Sequence, residues 1–187
     1  MRPIYLQMIR KLYPILFFLA CQNSEEPLPY GHLRIGLPKK EYTPFLQNCP
    51  FGFYKNTQAE WEDKGNCWGD IYYPVIKARI QLTYKTTDTS IEHLLKEAQD
   101  LAYQHSVKAD GISEKQFENI ENRVFGMVYK MHGQTASNTQ FYLTDSNQHF
   151  VRGAVYFFAS PNPDSLKPVD EFMFQEVIRL VESFYWK

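Results

Sequence analysis

A regular alternation of hydrophobic and polar residues marks residues 77–85 as the clearest strand of the chain. Its apolar positions are Ala78, Ile80, Leu82 and Tyr84. A period of two places these side chains on one buried face and leaves the opposite face in water. The pattern favours an antiparallel sheet, because the strands of a parallel sheet are usually covered on both faces.

Shorter strands are predicted on both sides of this segment. On its N-terminal side the candidates are residues 32–35, 51–54 and 68–73. On its C-terminal side a meander of hairpins is predicted, because apolar, β-rich segments alternate with turn residues. The four strands of this meander are residues 112–120, 123–131, 138–144 and 149–159.

The hydrophobic period lengthens to that of a helix in two segments. The first helix is predicted over residues 90–105, after a capping box in which Thr89 is paired with Glu92. The second begins near Pro168, a residue tolerated in a first turn. The sequence therefore predicts an α+β fold, a single largely antiparallel β-sheet with two principal helices packed on one face.

The N-terminus has the pattern of a signal peptide followed by a cysteine. Arg10 and Lys11 precede the apolar residues 12–20, and Cys21 follows them directly. A basic start, a short apolar run and a small residue before the cleavage site are typical of exported proteins. The end of the run resembles the bacterial lipobox Leu-x-Ala/Gly-Cys, although Phe18 stands at the usual leucine position. A membrane-spanning helix needs about 20 apolar residues, more than this run provides.

These features predict three segments. Residues 1–20 are expected to be a lipoprotein signal peptide, and residues 21–29 a lipidated N-terminus and polar tether. Residues 30–187 are expected to form a single α+β globular domain. A plain secreted protein and a buried structural cysteine remain alternatives for Cys21, and the start at Met1 or Met8 is open.

Composition narrows the class of partner. The formal net charge is −1, and lysine and arginine are interspersed with aspartate and glutamate. Because no basic stripe stands out, we do not expect nucleic acid to bind. The 16% aromatic content, mostly tyrosine and phenylalanine, agrees with a strand-rich fold.

The three cysteines agree with export. If Cys21 carries lipid, Cys49 and Cys67 are left as an even pair, for which we predict a disulfide. Such a bond persists in a periplasm and rarely in cytosol. Two free, partly buried thiols are the alternative. A redox dithiol normally spaces its cysteines by two residues, and no further Cys or His has zinc-ligand spacing nearby.

Motifs for catalysis are mostly absent from the sequence. We find no nucleophile elbow, phosphate loop, dinucleotide fingerprint or His-Glu-x-x-His motif. Asp145 and Asp164 lie in turn sequences, where aspartate commonly bonds its own backbone. The scattered histidines are expected to be surface or turn residues, and they are His32, His93, His105, His132 and His149. No catalytic residue, metal or cofactor is therefore predicted.

Two groups of aromatic residues are more suggestive of binding. They are Trp68, Tyr72 and Tyr73 near Cys67, and Tyr156, Phe157 and Phe158 on one predicted strand. Exposed rings of this kind would form a platform for a peptide or a glycan. Most aromatic rings in a small sheet are core residues, so the sequence leaves both interpretations open.

Several long segments together resemble one known family. They include NCPFGF, NCWGDIYYPVIKARIQLTYK and GMVYKMHGQTASNTQFYLTDSNQHFVRGAVYFFASPNPDSL, and they follow the lipobox in order. The combination resembles the gliding-motility-associated lipoprotein GldD family over nearly the whole mature chain. The resemblance implies an envelope protein of the gliding apparatus and its associated protein-secretion machinery. It also implies fatty acylation, such as palmitate, at Cys21, and it implies no enzymatic activity or cofactor.

The leading functional hypothesis is a non-catalytic, lipid-anchored accessory protein of gliding motility that acts through protein–protein contacts. Its expected partners are other gliding and secretion proteins of the envelope. Its expected location is the membrane of the cell envelope, either facing the periplasm or on the outer membrane. The alternatives are a glycan- or peptide-binding envelope lipoprotein and a periplasmic hydrolase.

Overall fold

A computed structural model describes residues 36–87, 90–106, 109–133, 135–158 and 163–187, without the side chains of residues 105, 106 and 163–165. Several predictions lie outside these ranges. They concern the signal peptide, Cys21, the tether, the strand at residues 32–35 and the capping residue Thr89. Among the described residues, no helix has the length and apolar character needed to cross a membrane.

Eleven strands and two helices are present in the described ranges. In chain order they are β1 Tyr42–Pro44, β2 Phe51–Gly52, β3 Tyr54–Asn56, β4 Glu60–Gly65, β5 Trp68–Tyr73, β6 Ala78–Thr86, α1 Glu92–Ser106, β7 Ala109–Asn119, β8 Val124–Gly133, β9 Thr139–Thr144, β10 His149–Phe157, α2 Pro163–Glu182 and β11 Tyr185–Trp186. The helix α2 begins about one turn earlier than Pro168, which lies inside it.

Seven of the strands form one antiparallel sheet with the order β4-β5-β6-β10-β9-β8-β7. The four strands β7 to β10 are sequential neighbours, which confirms the predicted meander. The strand β10 then pairs with β6, with Val155 opposite Ile80 and Gly153 opposite Leu82. This long-range pairing joins the meander to the hairpins of β4, β5 and β6.

The described strands do not all belong to this sheet, which corrects the prediction of a single sheet. The strands β1 and β3 form a two-stranded sheet, and β2 and β11 form another. Each of these strands has only two or three residues. Pro44 and Pro50 interrupt this part of the chain, and proline provides no N–H for a longer ladder.

The two helices pack against opposite faces of the seven-stranded sheet. Successive side chains of a strand point to opposite faces. In β8, Val124 and Val128 belong to the main core with residues of α2, whereas Tyr129 and Met131 pack with Ala102 of α1. We call these the α2 face and the α1 face. The prediction of both helices on one face is therefore wrong.

The main core lies on the α2 face. Six apolar side chains of α2 are buried there, and they are Val169, Phe172, Met173, Val177, Leu180 and Val181. The segment of residues 45–53 covers the same face with Phe45, Phe51 and Phe53. Spacings of three and four residues along α2 place its apolar side chains on one stripe, which explains why this helix packs so closely.

Candidate functional site

The structure joins Cys49 and Cys67 by a disulfide. Their Cα atoms are 5.6 Å apart, and 18 positions separate them in sequence. Cys49 is buried, whereas Cys67 is partly exposed. The bond fastens the segment over the α2 face to the turn between β4 and β5.

That turn places Cys67 in an unusual backbone conformation. Gly65, Asn66 and Cys67 have φ angles of 83°, 54° and 59°. Glycine and asparagine tolerate this left-handed region, whereas other residues normally avoid it at a cost of about 1–3 kcal/mol. Cys67 therefore has a conformation that is unfavourable for its residue type, in the turn that leads into β5.

Partly exposed rings lie next to the disulfide, at the end of the sheet where β5 begins. The Tyr84 hydroxyl is 2.7 Å from Nδ1 of His149, and the His149 ring stacks on Trp186 with 5.3 Å between centroids. The Trp68 indole donates a hydrogen bond to the carbonyl of Tyr84. The alternation of β5 places Trp68 on the α1 face with Tyr72, whereas Tyr84 and Trp186 pack on the main core of the α2 face. We call Trp68, Tyr84, His149 and Trp186 the aromatic end, because together they surround this end of the sheet.

A second layer of contacts supports these rings from below. The Trp186 ring packs edge-on against Phe184 at 4.9 Å, and its indole N–H donates to the carbonyl of Arg123. Phe51 lies 5.6 Å from Tyr84 and stacks on Phe184. The aromatic end therefore belongs to the main core on one side and to the surface on the other.

Burial and a nearby turn set the electrostatics of the aromatic end. Desolvation raises the pKa of Tyr84, and the charge of Asp145 adds to this increase. Burial would also raise the pKa of Asp145, but its carboxylate accepts backbone N–H groups of Asn147, Gln148 and His149. These bonds hold the pKa of Asp145 below its usual value. Asp145 is thus a turn residue, as its sequence predicts.

The aromatic end has the chemistry of a contact surface. Trp68 is 41% exposed, and Tyr84, His149 and Trp186 each keep part of their surface in solvent. Flat rings of this kind bury a large apolar area on contact, and the internal hydrogen bonds of both indole N–H groups fix the orientation of the Trp68 and Trp186 rings. A disulfide and a packed second layer hold the rings in place, which lowers the entropy lost on binding.

The aromatic groups predicted from sequence are divided by the structure. Tyr73 is buried on the α2 face, whereas Tyr72 points to the α1 face and packs edge-on against Phe158. Phe158 is 55% exposed and lies under the guanidinium of Arg79 at 4.1 Å. Only Trp68 of the first group reaches the aromatic end. Tyr84 and His149 come together through the β6–β10 register, which the sequence does not reveal.

The histidines are separate in the described structure. His93 and His132 are exposed, and His132 contacts the Ser113 hydroxyl at 2.9 Å. His32 and the side chain of His105 lie outside the described residues. In the described ranges, no three His, Cys, Asp or Glu side chains are grouped to hold a metal ion.

A buried carboxylate on α2 is a polar residue that the sequence did not single out. Glu176 is 3% exposed and accepts hydrogen bonds from the hydroxyls of Tyr42 and Tyr73, both at 2.9 Å. Desolvation and the bond to Glu176 raise the pKa of Tyr42 to about 12. Desolvation and Glu176 also raise the pKa of Tyr73. This group ties α2 to β1 and β5, so its role in the structure is support.

Two comparisons with known proteins bear on this site. A family model described as gliding motility lipoprotein GldD matches residues 22–186. The match begins at the residue after Cys21 and includes the disulfide and the aromatic end. No match to a curated protein is found.

Proposed function

This chain belongs to the gliding motility lipoprotein GldD family, and on that basis we propose that it is a lipid-anchored, non-catalytic accessory protein of the gliding apparatus. The proposal places it in the cell envelope, with its globular part held close to a membrane by acyl chains on Cys21. Its expected partners are gliding and secretion proteins of the same envelope.

The family match is the observation that carries the proposal. It starts at residue 22, directly behind the cysteine of the lipobox, and extends to residue 186. A single acyl chain binds membranes only marginally, whereas two or more chains anchor a protein stably. An anchor would confine the domain to the membrane and raise its effective concentration toward partners there.

We propose that the aromatic end is the surface that contacts a partner protein. Aromatic residues are enriched at the centres of protein interfaces, and tryptophan and tyrosine are common hot spots. The aromatic end presents both types on a support fixed by the Cys49–Cys67 disulfide. Tyr84, His149 and Trp186 are held by ring stacking, and Trp68 by its hydrogen bond to the Tyr84 carbonyl, so docking would require little rearrangement.

The anchor is tested by the substitution Cys21→Ser in the natural host. We expect the variant to leave the membrane fraction and to abolish gliding, measured by fractionation and by spreading on agar. Cys67→Ala serves as the control for membrane fractionation alone, because it removes a cysteine without removing the acylation site but also breaks the disulfide that supports the aromatic end. Normal gliding by a soluble Cys21→Ser protein would contradict an anchoring role.

Trp68→Ala tests the contact surface in cells that keep the anchor. Pull-down from detergent-solubilised membranes with a tagged wild-type chain is expected to recover motility or secretion proteins, and Trp68→Ala should recover less. Phe158→Ala is the matched control, because Phe158 is an exposed aromatic residue away from the aromatic end. Equal recovery by the wild-type chain and both variants would rule out this surface.

A further inference from the structure

A polar pair lies on the α1 face of the sheet, away from the end of the sheet that carries the proposed partner surface. The Arg152 guanidinium donates a hydrogen bond of 2.7 Å to Oε1 of Gln140. Arg152 belongs to β10 and Gln140 to the neighbouring strand β9. Both residues sit in the middle of the seven-stranded sheet rather than at an edge.

Arg152 is a partly buried cation without an ion-pair partner among the described residues. Desolvation lowers the pKa of its guanidinium, and the nearby Tyr156 and Glu97 oppose this effect. The carboxylate of Glu97 is already bound by Lys85 at 3.1 Å. By contrast Arg79, the other guanidinium on this face, is paired with Asp70 at 2.5 Å. Burying a charge without a counter-charge is costly, so Arg152 calls for an explanation.

The side-chain amide of Gln140 is a buried donor that has no hydrogen-bond partner in the described ranges. Its side chain is only 1% exposed, and its Nε2 atom is buried with no hydrogen-bond partner. The great majority of buried polar groups in proteins are hydrogen-bonded, and an exception often marks a missing water or ion. A water molecule would satisfy Gln140 but would leave the charge of Arg152 unpaired.

A groove of about 490 Å³ adjoins the pair, between α1 and the sheet. Tyr142 and Tyr129 line it, and they lie directly across the strands from Arg152 and Gln140. The helix contributes Leu95 and Gln99, together with the charged residues Glu92, Lys96 and Asp100. Opposite side chains on neighbouring strands are only about 5 Å apart at Cβ, so these two tyrosines separate the groove from the donor pair by the width of one side chain.

The packing of α1 leaves room for a ligand to enter. Only Ala98 and Ala102 of its described side chains are buried, and both are small. Leu94, Leu95 and Leu101 are partly buried, so α1 buries less apolar area than α2 does, and a small outward shift of α1 exposes less hydrophobic surface.

We propose that Arg152 and Gln140 form a binding site for an oxyanion, a carboxylate or a phosphate group of a ligand that enters beneath α1. The guanidinium supplies the positive charge and a planar pair of donors, and the amide of Gln140 adds a third donor. Charge-assisted bonds from arginine to carboxylate or phosphate are among the strongest hydrogen bonds in proteins. The site is separate from the aromatic end, so a negative result at this site would not affect the proposed function, and the reverse also holds.

The test titrates the full chain in detergent with sodium acetate and with sodium phosphate, against sodium chloride at equal ionic strength. Side-chain NMR signals of arginine Nε–H and glutamine NH₂ groups report binding, assigned by the variants below. We expect saturable shifts of the Arg152 and Gln140 signals with acetate or phosphate and none with chloride. The anion that binds more tightly distinguishes a carboxylate ligand from a phosphate ligand.

The variants separate this site from general charge effects. Arg152→Lys keeps the charge but loses the planar fork, and it should weaken binding by at least about tenfold. Gln140→Met should also weaken binding, while Arg79→Lys, the matched control, should bind like the wild type. Arg152→Met should abolish binding. If Arg152→Met does not fold, the binding measured for Arg152→Lys and Gln140→Met decides the outcome. Absence of saturable shifts with both anions, or unchanged binding in Arg152→Lys, would overturn the proposal.

Discussion

The two faces of the seven-stranded sheet are covered by helices that pack in different ways. On the α2 face, large apolar side chains such as Phe172, Met173 and Leu180 lie against the strands. On the α1 face, the buried described residues of the helix are Ala98 and Ala102, and the strands beneath carry Gln140 and Arg152. One face is a large close-packed apolar core, whereas the other combines a smaller apolar cluster around Tyr129 and Met131 with the buried polar residue Gln140.

The difference in packing predicts that the two faces of the sheet contribute unequally to the free energy of folding. Burying an apolar side chain contributes about 1.5–3 kcal/mol, so the large residues of α2 account for far more of the folding free energy than the alanines of α1. Segments with few buried apolar contacts open more readily. We infer that the α2 face holds the fold together and that the α1 face tolerates local movement.

The largest expected effect comes from a matched pair of leucine truncations. Leu180→Ala removes a side chain that is 2% exposed in the main core, and we expect it to lower the free energy of unfolding by about 2–5 kcal/mol. Leu95→Ala on α1 removes a partly exposed side chain and should cost less than about 1 kcal/mol. Urea denaturation followed by circular dichroism measures both. Equal losses would refute the proposed difference between the faces.

The disulfide should strengthen the α2 face specifically, because residues 45–53 cover that face. In the chain-entropy model, closing a loop of this length contributes about 3 kcal/mol. We expect the double variant Cys49→Ala/Cys67→Ala to lose roughly that much in urea denaturation. Adding a reductant should lower the wild-type midpoint to a similar value and leave that of the double variant unchanged. A reductant effect on the double variant would show that the loss has another source.

Local sequence patterns predict many strands of the sheet but not which face each helix covers. The meander β7 to β10, the strand β6 and the helix α1 follow from period and turn residues, because each depends on neighbours in the chain. The strand β4 was missed, since Glu60–Gly65 contains one large apolar residue, Trp61, among charged ones. The two-sided covering has a signal in β8, where Val124–Gly133 is apolar almost throughout instead of alternating. A strand apolar on both sides indicates that both faces are covered.

The candidate sites depend on long-range strand pairing, which local sequence patterns do not encode. The number of cysteines predicts the Cys49–Cys67 pair, and the position directly after Cys67 makes Trp68 a candidate binding residue. Tyr84 and His149 meet only because β6 pairs with β10, and Trp186 reaches them through the β2–β11 pairing. Arg152 and Gln140 look like ordinary polar positions in alternating strands until the cover of α1 is known.

Hydrogen exchange should show the same contrast between the two helices. We expect the backbone amides of α1 to exchange at least about tenfold faster than those in the middle of α2, because α1 can detach without exposing a large core. Mass spectrometry of peptic peptides from the full chain in detergent measures this ratio. If acetate or phosphate binds beneath α1, the exchange of α1 should slow and that of α2 should not change. Equal protection of the two helices would remove the basis for a mobile α1 face.

The smallest expected effect concerns the tyrosines that bond Glu176 on the α2 face. The pKa of Tyr42 is raised to about 12 from an ordinary value near 10, and that of Tyr73 is raised as well. The folded state therefore favours the neutral phenols, because an ionised phenol would lose its burial and its bond to a carboxylate. Their contribution to stability is complete below about pH 10, and that of Tyr42 is lost as pH rises through about 12.

Unfolding measured in urea between pH 8 and pH 12 should accordingly show a free energy that stays level to about pH 10 and then falls. Tyr42→Phe should cost about 1 kcal/mol at pH 8, since it removes one hydrogen bond to Glu176, and should make the alkaline decline shallower. Tyr185→Phe is the control, because Tyr185 is an exposed tyrosine of β11. A decline that is equally steep in Tyr42→Phe and in the wild type would assign the alkaline sensitivity to other groups, and the polar support of the α2 face would then lie elsewhere than at Tyr42.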